Sequence, residues 1–207
     1  QEHSYRLNMK RVEIQELLDA SGIVEADKDR SYLISLYLFD ETELKRYIRQ
    51  KDEEKLVTGL LYLDNYEEAL ESMEEVRSSL LIALIDRKIN KYFASIDGVV
   101  KKLEKDKYFL VMRKKSLDIL KEKKFSILEE VKTVNIGNEM AVTISIGIGY
   151  NAGSYIKNSE YARIAIDLAL GRGGDQEVMK DGEHIQYFGG KTQAVEKNTR
   201  VKARVKA

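Results

Sequence analysis

Two hydrophobic rhythms divide the chain. Residues 31–39 (SYLISLYLF) are β-branched and aromatic, which predicts a strand. Behind it, Asp40 or Thr42 is placed to cap a charged helix that runs through Leu44, Tyr47 and Ile48 toward Glu54, with acids in its first turn. The rest of the first forty residues reads as polar and broken. From Leu56 the elements become regular. Residues 57–64 predict a buried strand ending in a polar turn, and Val76, Leu80, Leu81, Leu84, Ile85 and Ile89 repeat at helical spacing before Phe93. Residues 98–103 and 108–112 predict a hairpin about Glu104-Lys105-Asp106-Lys107. A second helix fits Leu117, Ile119, Leu120, Phe125, Ile127, Leu128 and Val131. Residues 142–149 (VTISIGIG) form the strongest strand pattern. A third helix is expected over 161–170, stopping at Gly171, with short strands at 177–179 and 184–188. The basic tail beyond Gly189-Gly190 carries no pattern and reads as a linker.

This succession predicts an α/β domain of the α+β kind, and 207 residues accommodate it at about 130–150 residues with an attached segment. Thirty-five basic and thirty-five acidic side chains cancel, so no net field draws the chain onto nucleic acid or an anionic membrane. The absence of cysteine excludes disulfides, thiolate zinc sites and a cysteine nucleophile, and the two distant histidines, His3 and His184, argue against a histidine triad or cluster. A metal would then need oxygen ligands, which favours magnesium or calcium. No apolar run approaches the roughly 20 residues that span a bilayer, and no signal-peptide pattern opens the sequence.

The order strand, helix, hairpin, helix, strand, helix, strand over residues 56–188 resembles the GGDEF domain, a relative of the nucleotidyl-cyclase and polymerase palm folds. Residues 142–149 resemble its T-x-S-x-G-x core strand, and the helix before Gly171-Arg172-Gly173-Gly174-Asp175 resembles its A-x-x-x-A-x-x-x-G-R ending. The hairpin turn falls where the family carries its name-giving motif. The resemblance implies a central, mostly antiparallel sheet flanked by helices. In active members an aspartate near the end of the first strand and acids of the hairpin hold magnesium against a triphosphate, while glycines admit the phosphates. Here Glu104-Lys105-Asp106-Lys107-Tyr108 stands where the family has Gly-Gly-Asp-Glu-Phe, so only Asp106 is kept and Lys107 reverses a charge. Tyr62 takes the first metal-aspartate position, and Leu70 and Glu71 replace the guanine-reading Asn-Asp pair. Ordinary two-metal synthesis of cyclic-di-GMP is therefore not expected.

Degenerate members of this family occur inside membrane-bound cyclic-di-AMP phosphodiesterases of the GdpP type, between a PAS domain and DHH and DHHA1 domains. The phrase Gly59-Leu60-Leu61-Tyr62-Leu63-Asp64-Asn65-Tyr66, the run from Leu168 into Gln176, and Gly189-Gly190-Lys191-Thr192 resemble that context. The resemblance implies the end of a PAS-like domain at 1–40, a connector helix at 41–55, a degenerate GGDEF domain at 56–190 and a basic linker toward a DHH domain at 191–207. It implies a regulatory module that relays PAS signals, in the cytoplasmic part of a bacterial cell-membrane protein. Its partners would be its own PAS and DHH/DHHA1 domains and a second copy, without nucleic acid or membrane contact by this segment. Family members with weak ATP hydrolysis suggest ATP with magnesium as ligands. On that basis Asp64 and Asp106 are candidate metal contacts, and Asp64, Asn65, Asp106, Lys107 and Arg172 are candidate nucleotide contacts.

Each candidate has a second reading. Asp64-Asn65 after a buried strand suits magnesium or ribose, or simply a turn and helix cap. Asp106 between Lys105 and Lys107 suits a weak nucleotide site or a charged hairpin tip. The glycines around Arg172 suit a phosphate or a helix C-cap, and they lack the Walker order. Tyr62, Tyr66, Tyr108 and Phe109 suit a base pocket or ordinary strand packing. Lys191, Lys197, Arg200, Lys202, Arg204 and Lys206 read as solvated linker rather than a nucleic-acid patch. The competing functional class is a structural dimerisation or partner-binding domain without a nucleotide site.

Overall fold

The structure, a computed structural model, describes residues 3–13, 32–71 and 73–189, so Ser31 and the basic tail residues lie outside the described residues. The chain divides into two units, residues 1–54 and 55–207. In the first, β1 (Tyr5–Glu13) and β2 (Tyr32–Asp40) pair antiparallel, with Tyr5 opposite Asp40 and Glu13 opposite Tyr32. Strand β1 corrects the expectation of a broken segment. Its Tyr5, Leu7 and Met9 alternate with Arg6, Asn8 and Lys10, the period of a strand. Helix α1 (Thr42–Glu53) follows as expected, but its N-cap position is Glu41, whose side chain makes no capping bond; Asp40, one residue earlier, accepts the Thr42 N–H on Oδ1 at 2.9 Å, while Thr42 Oγ1 accepts from Ser4 N at 3.0 Å. No described side chain of this unit is buried.

The second unit is a six-stranded sheet in the order β4-β5-β3-β6-β7-β8, where β3 is Leu56–Leu63, β4 Val99–Lys102, β5 Lys107–Arg113, β6 Ile144–Tyr150, β7 Gln176–Asp181 and β8 His184–Gly189. All pairings are antiparallel except β6 with β7. Parallel strands need a crossover, and α6 (Tyr155–Gly171) provides it. One face carries α3 (Glu75–Ala94), α4 (Lys114–Glu122) and α5 (Ile127–Lys132) over the main core, where Leu61, Leu110, Ile146 and Met179 meet Leu81, Ile85, Phe93, Leu120 and Val131. The other face holds α6, with Ala162 and Ile166 against Leu60, and Ala165 and Ala169 against Val178. Strands β3 and β6 are thus covered on both sides, which is why they read as continuous apolar runs.

Three expectations are corrected in detail. The expected second helix is two helices, because Lys124 and Phe125 adopt positive φ of 47° and 52°. The third begins at Tyr155, since Ser154 Oγ accepts the Lys157 N–H at 3.2 Å and caps it six residues earlier than the apolar pattern suggests. A short helix, α2 (Tyr66–Glu71), follows the turn after β3. The close fit of α6 on the sheet depends on absent side chains. A Cβ at Gly149 would lie 2.0 Å from the Asn158 carbonyl oxygen, and one at Gly147 would lie 2.3 Å from Ile166 N.

Candidate functional site

The hairpin tip between β4 and β5 is fixed to the end of the central strand: Leu63 N donates to the Asp106 carbonyl at 2.9 Å, and Tyr62 lies opposite Lys107 in register. Within the tip, Leu103 N and Glu104 N donate to the Lys107 carbonyl at 2.9 and 3.2 Å. The Lys107 ammonium bonds Glu104 Oε2 at 2.6 Å and stands 5.6 Å from the Tyr62 ring centroid. Its pKa is raised, chiefly through the Glu104 hydrogen bond. Strand alternation turns the next residue, Tyr108, into the core, where its hydroxyl donates to Asp86 on α3. Lys102 Nζ bonds the same carboxylate at 2.9 and 3.0 Å, so one aspartate clips both strands of the hairpin to α3. Burial first, then the Asp86 hydrogen bond, raises the Tyr108 hydroxyl above its ordinary range.

Asp64 and Asn65 form a separate clasp. Asp64 N donates to the Thr143 carbonyl at 2.9 Å, and Asp64 Oδ2 accepts from Asp175 N at 2.8 Å. Asn65 Nδ2 donates to the Ala141 carbonyl at 2.9 Å, while its Oδ1 accepts from Thr143 N at 3.0 Å. The loop after α6 approaches closely because Gly174 has φ +77° and no Cβ, an atom that would lie 2.8 Å from Asp64 Cγ. Burial raises the Asp64 pKa against the opposing pull of the Asp175 N–H hydrogen bond. Asp175 in turn holds Lys132 Nζ at 2.6 Å. Arg172 belongs to neither group; its guanidinium sits 4.4 Å over the Tyr187 ring of β8.

The five candidate residues therefore occupy three places: Asp106 and Lys107 at the hairpin tip, Asp64 and Asn65 in the clasp, and Arg172 at the end of α6, stacked over Tyr187. Among the described residues, no three His, Cys, Asp or Glu side chains gather to hold a metal ion. The donor set does not fit a two-metal centre. Sequence reasoning missed the partners that engage these residues, because Asp175 is 111 positions from Asp64 and Thr143 is 78 from Asn65. It also passed over a cleft of about 920 Å³ between α3 and residues 123–136. The available signal was a basic stripe at helical spacing, Arg87, Lys88 and Lys91.

Residues 61–186 match the family described as "Cyclic-di-AMP phosphodiesterase GdpP-like, GGDEF domain". Cyclic-di-AMP phosphodiesterase GdpP of Geobacillus thermodenitrificans is 37% identical over 171 residues, which is 82% of this chain and 26% of that protein. PdeA of Listeria monocytogenes is 36% identical and GdpP of Bacillus subtilis 32% identical, with the same coverage. The chain spans about a quarter of the length of these relatives. Among solved structures, the GGDEF domain of DgcB from Caulobacter crescentus, in complex with c-di-GMP, superposes with TM-score 0.52 at 16% identity, over 66% of this chain and 83% of that one. The active GGEEF domain of a Vibrio cholerae diguanylate cyclase gives TM-score 0.54 at 10% identity, over 67% and 89%. At these identities the likeness concerns the fold.

Proposed function

The chain belongs to the GGDEF family of GdpP-like cyclic-di-AMP phosphodiesterases, and from that membership we propose that it is a regulatory, nonsynthetic module of such an enzyme. On this reading it relays signals from a PAS domain to a DHH/DHHA1 phosphodiesterase in the cytoplasmic part of a membrane protein. The carrying observation is the hairpin tip. Lys107 directs an ammonium onto Glu104 and the Tyr62 ring beside the end of β3, the side of the strand where a two-metal enzyme needs carboxylates. A cation there opposes magnesium, and Tyr62 offers no ligand charge. Among the described residues no helix is long and apolar enough to cross a membrane, so the reading places membrane attachment elsewhere in the protein.

Weak ATP engagement at the tip is the finer part of the proposal. Asp106 is the tip carboxylate that no ion pair holds among the described residues and meets nucleotide-borne magnesium, and Lys107 meets phosphate by leaving Glu104. The purified chain with GTP and magnesium is expected to yield no cyclic-di-GMP and to leave cyclic-di-AMP intact. A cyclic-di-GMP product overturns the nonsynthetic reading. ATP turnover, where measured, is expected to fall about tenfold in Asp106→Ala, the scale of one charge-assisted contact; unchanged turnover removes the tip assignment. The alternative, a structural dimerisation or partner-binding domain, is favoured by the structural bonds that occupy Asp64 and Asn65, and it forecasts no thermal stabilisation by millimolar ATP.

A further inference from the structure

Helix α3 and its C-cap residue Ser95 present Leu84, Arg87, Lys88, Lys91, Tyr92 and Ser95 along one stripe, spaced three, four, seven, eight and eleven residues from the first. That stripe forms one wall of the 920 Å³ cleft; the α4–α5 turn and residues 133–136 after α5 form the other. Four cationic side chains, Arg87, Lys88, Lys91 and Lys123, line it against a single acid, Glu130. The lining is prearranged. Lys88 Nζ donates to the Glu130 carbonyl at 2.8 Å and to Thr133 Oγ1 at 3.0 Å, which leaves one ammonium N–H for a ligand. Lys123 Nζ lies 5.9 Å from the centroid of the Tyr92 ring, and the Tyr92 and Ser126 hydroxyls are bonded at 3.2 Å. Among the described residues, no ion pair neutralises Arg87, Lys91 or Lys123.

The cleft is also chemically polarised. Leu84, Val134 and Ile136 contribute apolar surface, and seven helical residues, or about 10 Å, separate Leu84 from Lys91. Its volume is that of a small-molecule site rather than of a lone inorganic anion. We propose that this cleft is a binding site for a nucleoside polyphosphate, with linked phosphates on Lys88, Lys91 and Lys123 and the base against Leu84, Val134 and Ile136. The site is separate from the hairpin tip and does not use Asp106 or Lys107. It goes beyond the nonsynthetic reading and gives the module a place at which a nucleotide sets its state.

Calorimetric titration of the 207-residue chain with ATP, pyrophosphate and adenosine tests it. ATP is expected to bind with an affinity that falls as salt is raised, pyrophosphate more weakly, and adenosine without measurable heat. Lys91→Ala and Lys123→Ala, whose ammonium groups make no hydrogen bond that holds the fold, are each expected to weaken ATP about tenfold, the scale of a charge-assisted contact. Lys157→Ala, which removes an exposed cation on α6 away from both places, leaves it unchanged, and the hairpin variants Asp106→Ala and Lys107→Ala report any binding at the tip. Far-UV circular dichroism verifies that each variant is folded. ATP binding that survives both cleft variants overturns the proposal, and its simultaneous loss in the hairpin variants moves the ligand to the tip. Adenosine binding as tightly as ATP overturns it as well. Absence of any ATP heat at millimolar concentration overturns both nucleotide sites and leaves the nonsynthetic reading standing.

Discussion

Glu177 enters β7 with its side chain fully buried, and neither carboxylate oxygen has a hydrogen-bond partner. Burial drives its pKa well above the ordinary carboxylate range, and the opposing field of Lys121 is too weak to restore it. A carboxyl raised in the folded state stabilises the fold fully below its unfolded pKa, near 4.3. That contribution is lost as pH climbs through the raised folded value. Stability is therefore expected to decline from mildly acidic toward alkaline pH, with Asp64, also raised, acting in the same direction. Urea midpoints at several pH values check this: Glu177→Gln flattens the slope, and Glu177→Met adds about 1–3 kcal/mol at neutral pH by removing an unsatisfied buried group. A Gln variant that keeps the full slope refutes the assignment. The residue was legible only as part of a short strand. Its burial depends on the helices over that strand, and nothing within residues 177–179 encodes them.

At the scale of elements, the joint between β6 and α6 is made of backbone. Gly149→Ala would force a Cβ to 2.0 Å from the Asn158 carbonyl, with Ala162 N at 2.5 Å, and neither is a flexible side-chain end. The expected loss is about 3 kcal/mol or more, read as a drop in urea midpoint; a midpoint within experimental error of the parent contradicts the packing described. The glycines of that strand were visible as a motif, and the structure supplies their physical reason. The hairpin was legible because its two strand patterns flank four charged residues. The first strand was not, since polar residues at every second position resemble a loop when no buried face marks the alternation. The split of the second helix was hidden because Lys124 and Phe125 take positive φ without being glycine or asparagine. The candidate site was legible to the extent that it was local: Lys107 and Asp106 could be placed on a turn, whereas the carbonyls and amides that occupy Asp64 and Asn65 come from loops far along the chain.

For the molecule as a whole, the distribution of core separates the two units. The main core runs from Val57 to Met179, wholly inside the second, while the two-stranded ribbon and helix of the first bury nothing among the described residues. A two-stranded ribbon is marginal alone. Amide exchange in residues 5–13 and 32–40 is therefore expected to be much faster than in β3 and β6, and a chain starting at residue 55 is expected to keep the parent's unfolding free energy, from its urea midpoint and slope, within about 0.5 kcal/mol, the tolerance for independent sites. A collapse of that midpoint would mean the ribbon carries stability that its exposure does not suggest. The sheet order has a temporal meaning too. Strand β3 sits between β5 and β6, and its partners in β6 lie 81 to 91 positions downstream, Leu63 with Ile144 and Thr58 with Gly149. During synthesis at about 5–20 residues per second, the most apolar strand of the sheet leaves the ribosome roughly 4–18 seconds before the strand that completes its pairing. Through that interval one edge of β3 is open, and a cell making this protein has to shelter it.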